Sequence, residues 1–221
     1  LNFLNLGKKH GKVNLVTDYC STPKKMDTSY ALNDKLGFVG FAANDRGLGK
    51  IPSYPKTPVH ENKDNVTNLK QVKNFLYLLN PDAFKTKANF ISKLKQTNYD
   101  LLLIDLFFHE AAFTRAELNS LKTKANGGKR MVIAYMSIGE AEDYRYYWQK
   151  TWKTTPPAWM EKPNPDWPGN LKVKYWDKGW QKIIYGTSAA YLDRIVAAGF
   201  DGVYLDIIDA YWYFLEKDKN L

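Results

Sequence analysis

Apolar residues along this chain follow two rhythms. Short unbroken runs, Phe75-Leu76-Tyr77-Leu78-Leu79, Leu101 to Ile104 and Met131 to Met136, alternate with stretches whose apolar positions fall three or four apart, such as Phe90, Ile91 and Leu94. An unbroken run bounded by turn residues indicates a strand covered on both faces, and the three-to-four spacing indicates one face of a helix. The pattern predicts strands over 13–18, 37–43, 75–79, 101–106, 131–136 and 203–206. Helices are predicted over 1–9, 84–96, 114–126 and 179–198, with a further short helix between the first two strands. Local signals agree with these bounds: Asn80-Pro81 stops a strand, Thr114 with Glu117 forms a capping box, and Gly199 ends the last helix.

Strand, helix, strand repeated with buried strands is the signature of a parallel α/β sheet. Asp18, Asp105, Glu140, Glu142 and Asp206 all fall at predicted strand ends, which favours a TIM-type (β/α) barrel, whose chemistry sits at the carboxyl ends of its strands. Only about six strands can be counted where such a barrel closes with eight, so the expected fold is an incomplete or permuted barrel. Pro52, Pro55 and Pro58 mark residues 51–68 as a linker between a segment 1–50 and a segment 69–221. Residues 148–180, rich in Trp and Pro, are too long for a tight connection.

Composition narrows the function classes. Aromatic residues make up 15% of the chain, with 7 Trp and 15 Tyr, a surplus that can line a sugar cleft, stack on bases or fill a core. The net charge of +9 suits anionic partners. Yet the lysines are spread along the chain with no nucleic-acid motif, and the expectation is a solvated basic surface with neither nucleic acid nor membrane as partner. No apolar run approaches the roughly 20 residues of a membrane span. Cys20 is the single cysteine, so no internal disulfide forms, and no Cys/His spacing suggests a metal site. No cofactor is expected.

The stretch Gly199-Phe-Asp-Gly-Val-Tyr-Leu-Asp206-Ile-Ile-Asp209 delivers Asp206 at a strand exit. Geometry alone leaves two roles open, a site acid or the N-cap of a following helix. Upstream, Tyr135-x-Ser137-x-Gly139-x-x-Glu142-x-x-Arg145 precedes Asp201-Gly202-Val203-x-x-Asp206. These two patterns, in this order, resemble the endo-α-1,4-polygalactosaminidase type of glycoside hydrolase (family 114) and its bacterial and archaeal relatives, some formerly labelled as related to cysteinyl-tRNA synthetase. The resemblance runs over most of residues 74–216.

It implies a (β/α)₈ barrel that cleaves an amino-sugar polysaccharide with two carboxylates, Asp206 being one. With the strand-end positions of Glu140, Asp105 and Asp209, it makes Glu140, Glu142, Arg145, Tyr135, Asp105, Asp209 and Trp176 the candidate substrate-binding residues. For Glu142 the residues leave two readings level, a sugar ligand or an ion-pair partner for Arg145 three positions on. Residues 1–50 resemble the last two strands of such a barrel, and 69–221 its first four. The second catalytic Glu of the family comes from a region without a counterpart here. The chain is then a piece cut across two tandem barrels, or a permuted or degenerate member whose six strands form an incomplete barrel or are completed by a further segment or a second copy. The alternative function is a non-catalytic carbohydrate-binding or structural barrel. Partly deacetylated galactosamine polymers are cationic, so the +9 charge favours a neutral or acidic glycan. The substrate class implies an extracellular or cell-envelope location.

Overall fold

A computed structural model describes residues 1–219. The chain opens with α1 (Asn2–Lys9), β1 (Leu15–Tyr19), α2 (Pro23–Leu36) and β2 (Val39–Ala43). Thr22 caps α2 by accepting the Lys25 N–H, with Pro23 in the first helical position where its missing donor costs nothing. Gly37, at φ 67°, ends the helix in the left-handed conformation. β1 and β2 then pair in parallel, Leu15 opposite Val39 through Tyr19 opposite Ala43.

Next come β3 (Phe75–Leu78), α3 (Lys87–Lys95), β4 (Leu101–Ile104), the hairpin of β5 (Phe107–Phe108) and β6 (Ala111–Ala112), α4 (Arg115–Leu121) and β7 (Met131–Ser137). The predicted capping box forms: the Thr114 hydroxyl accepts from Glu117 N–H while the Glu117 carboxylate accepts from Thr114 N–H. The chain ends with β8 (Glu140–Glu142), β9 (Met160–Pro163), β10 (Asn170–Val173), α5 (Lys178–Ile184), α6 (Tyr191–Ala198), β11 (Gly202–Asp206) and α7 (Tyr211–Lys219). All six predicted strands are present, as β1, β2, β3, β4, β7 and β11. The helix predicted over 179–198 is two helices, parted where Gly186 takes φ 94° and its N–H bonds the Asp193 carboxylate.

Two compact units divide the chain: residues 1–134 with 199–202, and residues 135–198 with 203–221. The linker candidate 51–68 lies inside the first unit. There β4 lies between β3 and the first half of β7, in parallel register Phe75–Leu101–Met131 through Leu78–Ile104–Ala134. Leu76, Leu78, Leu101, Leu102, Ile104 and Val132 are fully buried, each contributing about 1.5–3 kcal/mol of transfer free energy. This is the parallel α/β architecture of the incomplete-barrel expectation, and among the described residues the strands of neither unit close on themselves.

A polar layer underlies that core. Asp100, fully buried before β4, accepts from Lys124 Nζ (2.9 Å), Asn62 Nδ2 (3.1 Å) and the Lys73 N–H (2.9 Å). Lys124 also donates to the Asn62 carbonyl (2.9 Å), which anchors the proline-rich segment beneath the sheet.

In the second unit β9 and β10, from the 148–180 excursion, join β8 in an antiparallel sheet of order β8-β10-β9. Much of the aromatic surplus is core here. Trp148, Trp152, Trp159 and Trp180 make successive ring contacts with centroids 5.1–5.2 Å apart, and Tyr147 packs edge-on to Trp180 at 5.8 Å. Trp167, Trp176 and Trp212 are exposed.

Candidate active site

Side chains alternate across a strand, so along β11 Tyr204 and Asp206 share one face and Leu205 takes the other. The second half of β7 supplies Tyr135 within the same unit. Its hydroxyl donates to Asp206 Oδ2 at 2.8 Å, and its ring stacks on Tyr204 at 6.3 Å and 24°. Among the described residues Asp206 Oδ1 accepts no hydrogen bond. The cap reading of Asp206 fails on position: α7 starts at Tyr211, which makes Ala210 the cap position.

The backbone around Asp206 is fixed from both sides. Ile138 N–H donates to the Asp206 carbonyl (3.1 Å), and the Ile138 carbonyl accepts from the Trp180 indole N–H (2.9 Å). Ile207, directly after Asp206, has φ 58°. A β-branched residue rarely occupies that left-handed region, and strain of this kind, of order 1–3 kcal/mol, persists only where the surroundings impose it. Gly139 belongs to those surroundings, since a Cβ there would collide with the Ile207 carbonyl oxygen and lie 2.6 Å from Ala210 Cβ.

Two neighbouring acids of this unit, Glu140 and Glu142, are occupied. The Glu140 carboxylate is fully buried and accepts from Asn164 Nδ2 (2.8 Å), Asn170 Nδ2 (3.0 Å) and Lys172 Nζ, all from the excursion. Glu142, also buried, accepts from Tyr144 Oη (2.6 Å) and Arg145 Nε (2.6 Å). Arg145 lies over the rings of Tyr144 and Tyr191 at 5.2 and 5.4 Å. The Tyr147 hydroxyl accepts the Glu142 N–H at 3.0 Å, and burial, reinforced by the Glu142 charge, pushes its pKa up.

The profile of glycoside-hydrolase family GH114 matches residues 57–221. The chain belongs to glycoside-hydrolase family GH114. Protein MJ1477 of Methanocaldococcus jannaschii is 37% identical over 183 residues, 81% of this chain and 50% of that protein. A Deinococcus radiodurans protein is 48% identical over 113 residues, 51% of this chain and 34% of its own length. The chain thus spans half or less of the relatives it matches. Among solved structures, Aspergillus fumigatus Ega3 in complex with galactosamine aligns with TM-score 0.41 at 20% identity, covering 70% of this chain and 50% of its own. The glycoside hydrolase domain of PelA from Pseudomonas aeruginosa gives TM-score 0.39 at 18% identity, covering 62% and 45%.

The motif residues that carried the GH114 resemblance divide by job. Asp201 is structural: its carboxylate accepts the Val132 N–H at 2.9 Å and pairs with Lys122, while its own N–H returns to the Val132 carbonyl at 2.9 Å. Tyr135 and Asp206 meet each other, and Glu142 and Arg145 meet each other. Glu140 joins the excursion instead. Asp105, in the first unit, accepts the Phe107 N–H at 2.8 Å. Asp209 is exposed and its carbonyl accepts from Trp212 N–H. Trp176 is 51% exposed and lies edge-on to Phe214 at 4.5 Å.

Sequence reasoning missed Asn164, Asn170, Lys172 and Tyr147, which hold Glu140 and Glu142; Tyr147, two residues past Arg145, was the one with a nearby signal. A cavity of about 530 Å³ lined by Met136, Ile138, Trp180, Leu205, Ile207 and their neighbours lies on the Leu205 side of β11. It is an apolar gap behind the face that carries Asp206. Among the described residues no group of three His, Cys, Asp or Glu could hold a metal ion.

Charge is divided unequally between the units. Residues 135–198 and 203–221 contain 11 Lys and Arg against 11 Asp and Glu, so the +9 belongs wholly to the first unit.

Proposed function

We propose that this chain is part of a glycoside hydrolase of the endo-α-1,4-polygalactosaminidase type, and that Asp206 is one of its two catalytic carboxylates. The observation that carries the reading is the Tyr135 hydroxyl on Asp206 Oδ2, 2.8 Å away, at the carboxyl end of β11. It fixes one oxygen of the acid and leaves Oδ1 for a sugar. Glycoside cleavage needs a second carboxyl about 5–9.5 Å from the first, as general acid or base. Glu140 and Glu142 are committed to buried partners, and the family resemblance assigns the second acid to the part of the barrel without a counterpart here, to be supplied by a longer polypeptide or a second copy. Glu142 acts by holding Arg145, and Trp176 offers a ring for pyranose stacking.

The neutral charge of the second unit removes the electrostatic objection to a cationic amino-sugar polymer. A polymer substrate also argues for an extracellular or cell-envelope location. The test is release of reducing ends by the full-length protein from partly deacetylated galactosamine polymer, N-acetylated polymer and an acidic glycan. Release from the first two supports the reading. Binding without release from any polymer would favour the non-catalytic alternative.

A further inference from the structure

Helix carboxyl ends carry partial negative charge and stabilise cations. The last turns of α1, α2 and α3 hold Lys8 and Lys9, Lys35, and Lys93 and Lys95. In a strand–helix–strand chain each helix ends where the next strand begins, so this local rule gathers lysines at the amino end of the strands. Hydrogen bonds join those strand starts into one face of the first unit. Lys8 Nζ reaches the Leu36 carbonyl (2.7 Å), and His60 Nε2 lies 3.0 Å from Asp34. The His60 carbonyl accepts from Asn74 Nδ2 (3.1 Å), and Asp100 joins Lys73 to Lys124.

Residues 8–14, 34–38, 60–74, 93–100 and 122–130 together contain 13 Lys and Arg but 4 Asp and Glu. That excess equals the net charge of the whole chain. Asp100 is buried against Lys124 and Asp64 pairs with Lys73, whereas Lys9, Lys12, Lys35, Lys63, Lys70 and Lys129 are exposed. Lysines scattered in the sequence are gathered by the fold.

A second observation lies on the same face. No residue of α1 is buried, and Leu1, Phe3 and Leu6 are 74%, 81% and 52% exposed. The helix is tied to the start of β1 through Asn14 Nδ2, which donates to the Leu4 carbonyl at 2.8 Å. An apolar ridge beside clustered lysines matches an anionic bilayer: apolar side chains enter the acyl boundary while ammonium groups meet headgroups. A nucleic acid or soluble glycan would call for exposed rings to stack on. Of the aromatic residues of α1 and these strand-start segments, Phe38 and Tyr99 are buried and Phe3 is exposed, a single ring where stacking along a strand needs a succession of them.

We propose that the amino-end face of the first unit, with α1, docks on an anionic lipid surface. No helix of the described residues is long and apolar enough to cross a membrane; the contact proposed for this face is peripheral, made by side chains at the bilayer surface. The test is co-sedimentation of the full-length protein with phosphatidylcholine vesicles, with and without phosphatidylglycerol. Binding is expected to the anionic vesicles alone and to weaken with salt. Lys9→Gln with Lys12→Gln and Lys35→Gln should lower it about a hundredfold. Phe3→Ser with Leu6→Ser should lower it about tenfold at unchanged charge and unchanged circular dichroism, because neither side chain is part of the core. Absence of binding to anionic vesicles would overturn the proposal, as would binding indifferent to the Phe3 and Leu6 pair. Heparin binding without vesicle binding would instead assign the face to a soluble polyanion. Self-association abolished by Phe3→Ser and Leu6→Ser, without vesicle binding, would assign α1 to a second copy.

Discussion

Replacing Gly139 by Ala tests whether the loop after β7 holds the turn after Asp206. The new Cβ would overlap the Ile207 carbonyl oxygen and approach Ala210 Cβ at 2.6 Å and Ile207 Cγ2 at 2.7 Å. None of these is the far end of a flexible side chain, so the backbone must move. Overpacking of this kind costs about 1–3 kcal/mol, and for a chain of this size each kcal/mol lowers Tm by roughly 2–4 °C. The predicted loss is therefore ~2–12 °C in a thermal melt, with a matching fall in urea midpoint at unchanged slope. Gly202→Ala is the control, since its Cβ would meet Ile133 Cγ1 at an ordinary 3.7 Å. It should stay within about 0.5 kcal/mol of the parent. A Gly139→Ala protein as stable as the parent, or a Gly202→Ala protein equally weakened, would refute the packing argument.

Three further outcomes follow from the same geometry. Lys124→Met leaves Asp100 charged and buried without its cation and should cost about 3–5 kcal/mol in chemical denaturation; a loss under about 1 kcal/mol would contradict the polar-layer account. Tyr135→Phe removes the donor to Asp206 Oδ2 and should cut kcat/KM about 10- to 150-fold, the worth of a hydrogen bond to a charged group, with the melting profile largely kept; undiminished turnover would separate Tyr135 from the site. The hydrogen bond from Lys217 holds the Glu161 carboxyl below its ordinary value. A depressed carboxylate contributes stability that is whole above its unfolded pKa and lost as pH falls through the folded one. Acid titration of stability should therefore be shallower below about pH 4.5 in Glu161→Gln than in the parent, and identical slopes would count against that tie.

The strands were legible because their signal is local: unbroken apolar runs at 75–79, 101–104 and 131–136 admit one reading, and the structure buries all of β4 and β7. Helix ends set by distant partners were not. The helix predicted over 114–126 stops at Leu121, where Lys124 turns inward to Asp100 and the Thr123 carbonyl binds the Arg130 guanidinium. β8, β9 and β10 are short and polar, and their pairing joins residues such as Glu140 and Lys172 across the excursion, a separation no periodicity reports. In the site, the position of Asp206 could be read from the strand that carries it. The fate of Glu140 could not, because Asn164, Asn170 and Lys172 lie far along the chain from it.

The claim that Asp206 belongs to a catalytic pair is tested most directly by Asp206→Asn in the full-length protein, which keeps the shape of the side chain and removes its charge. Turnover of the galactosamine polymer is predicted to fall ~10²- to 10⁴-fold, the usual worth of a catalytic acid or base, with polymer binding retained. Equal release of reducing ends by the variant and the parent would contradict it.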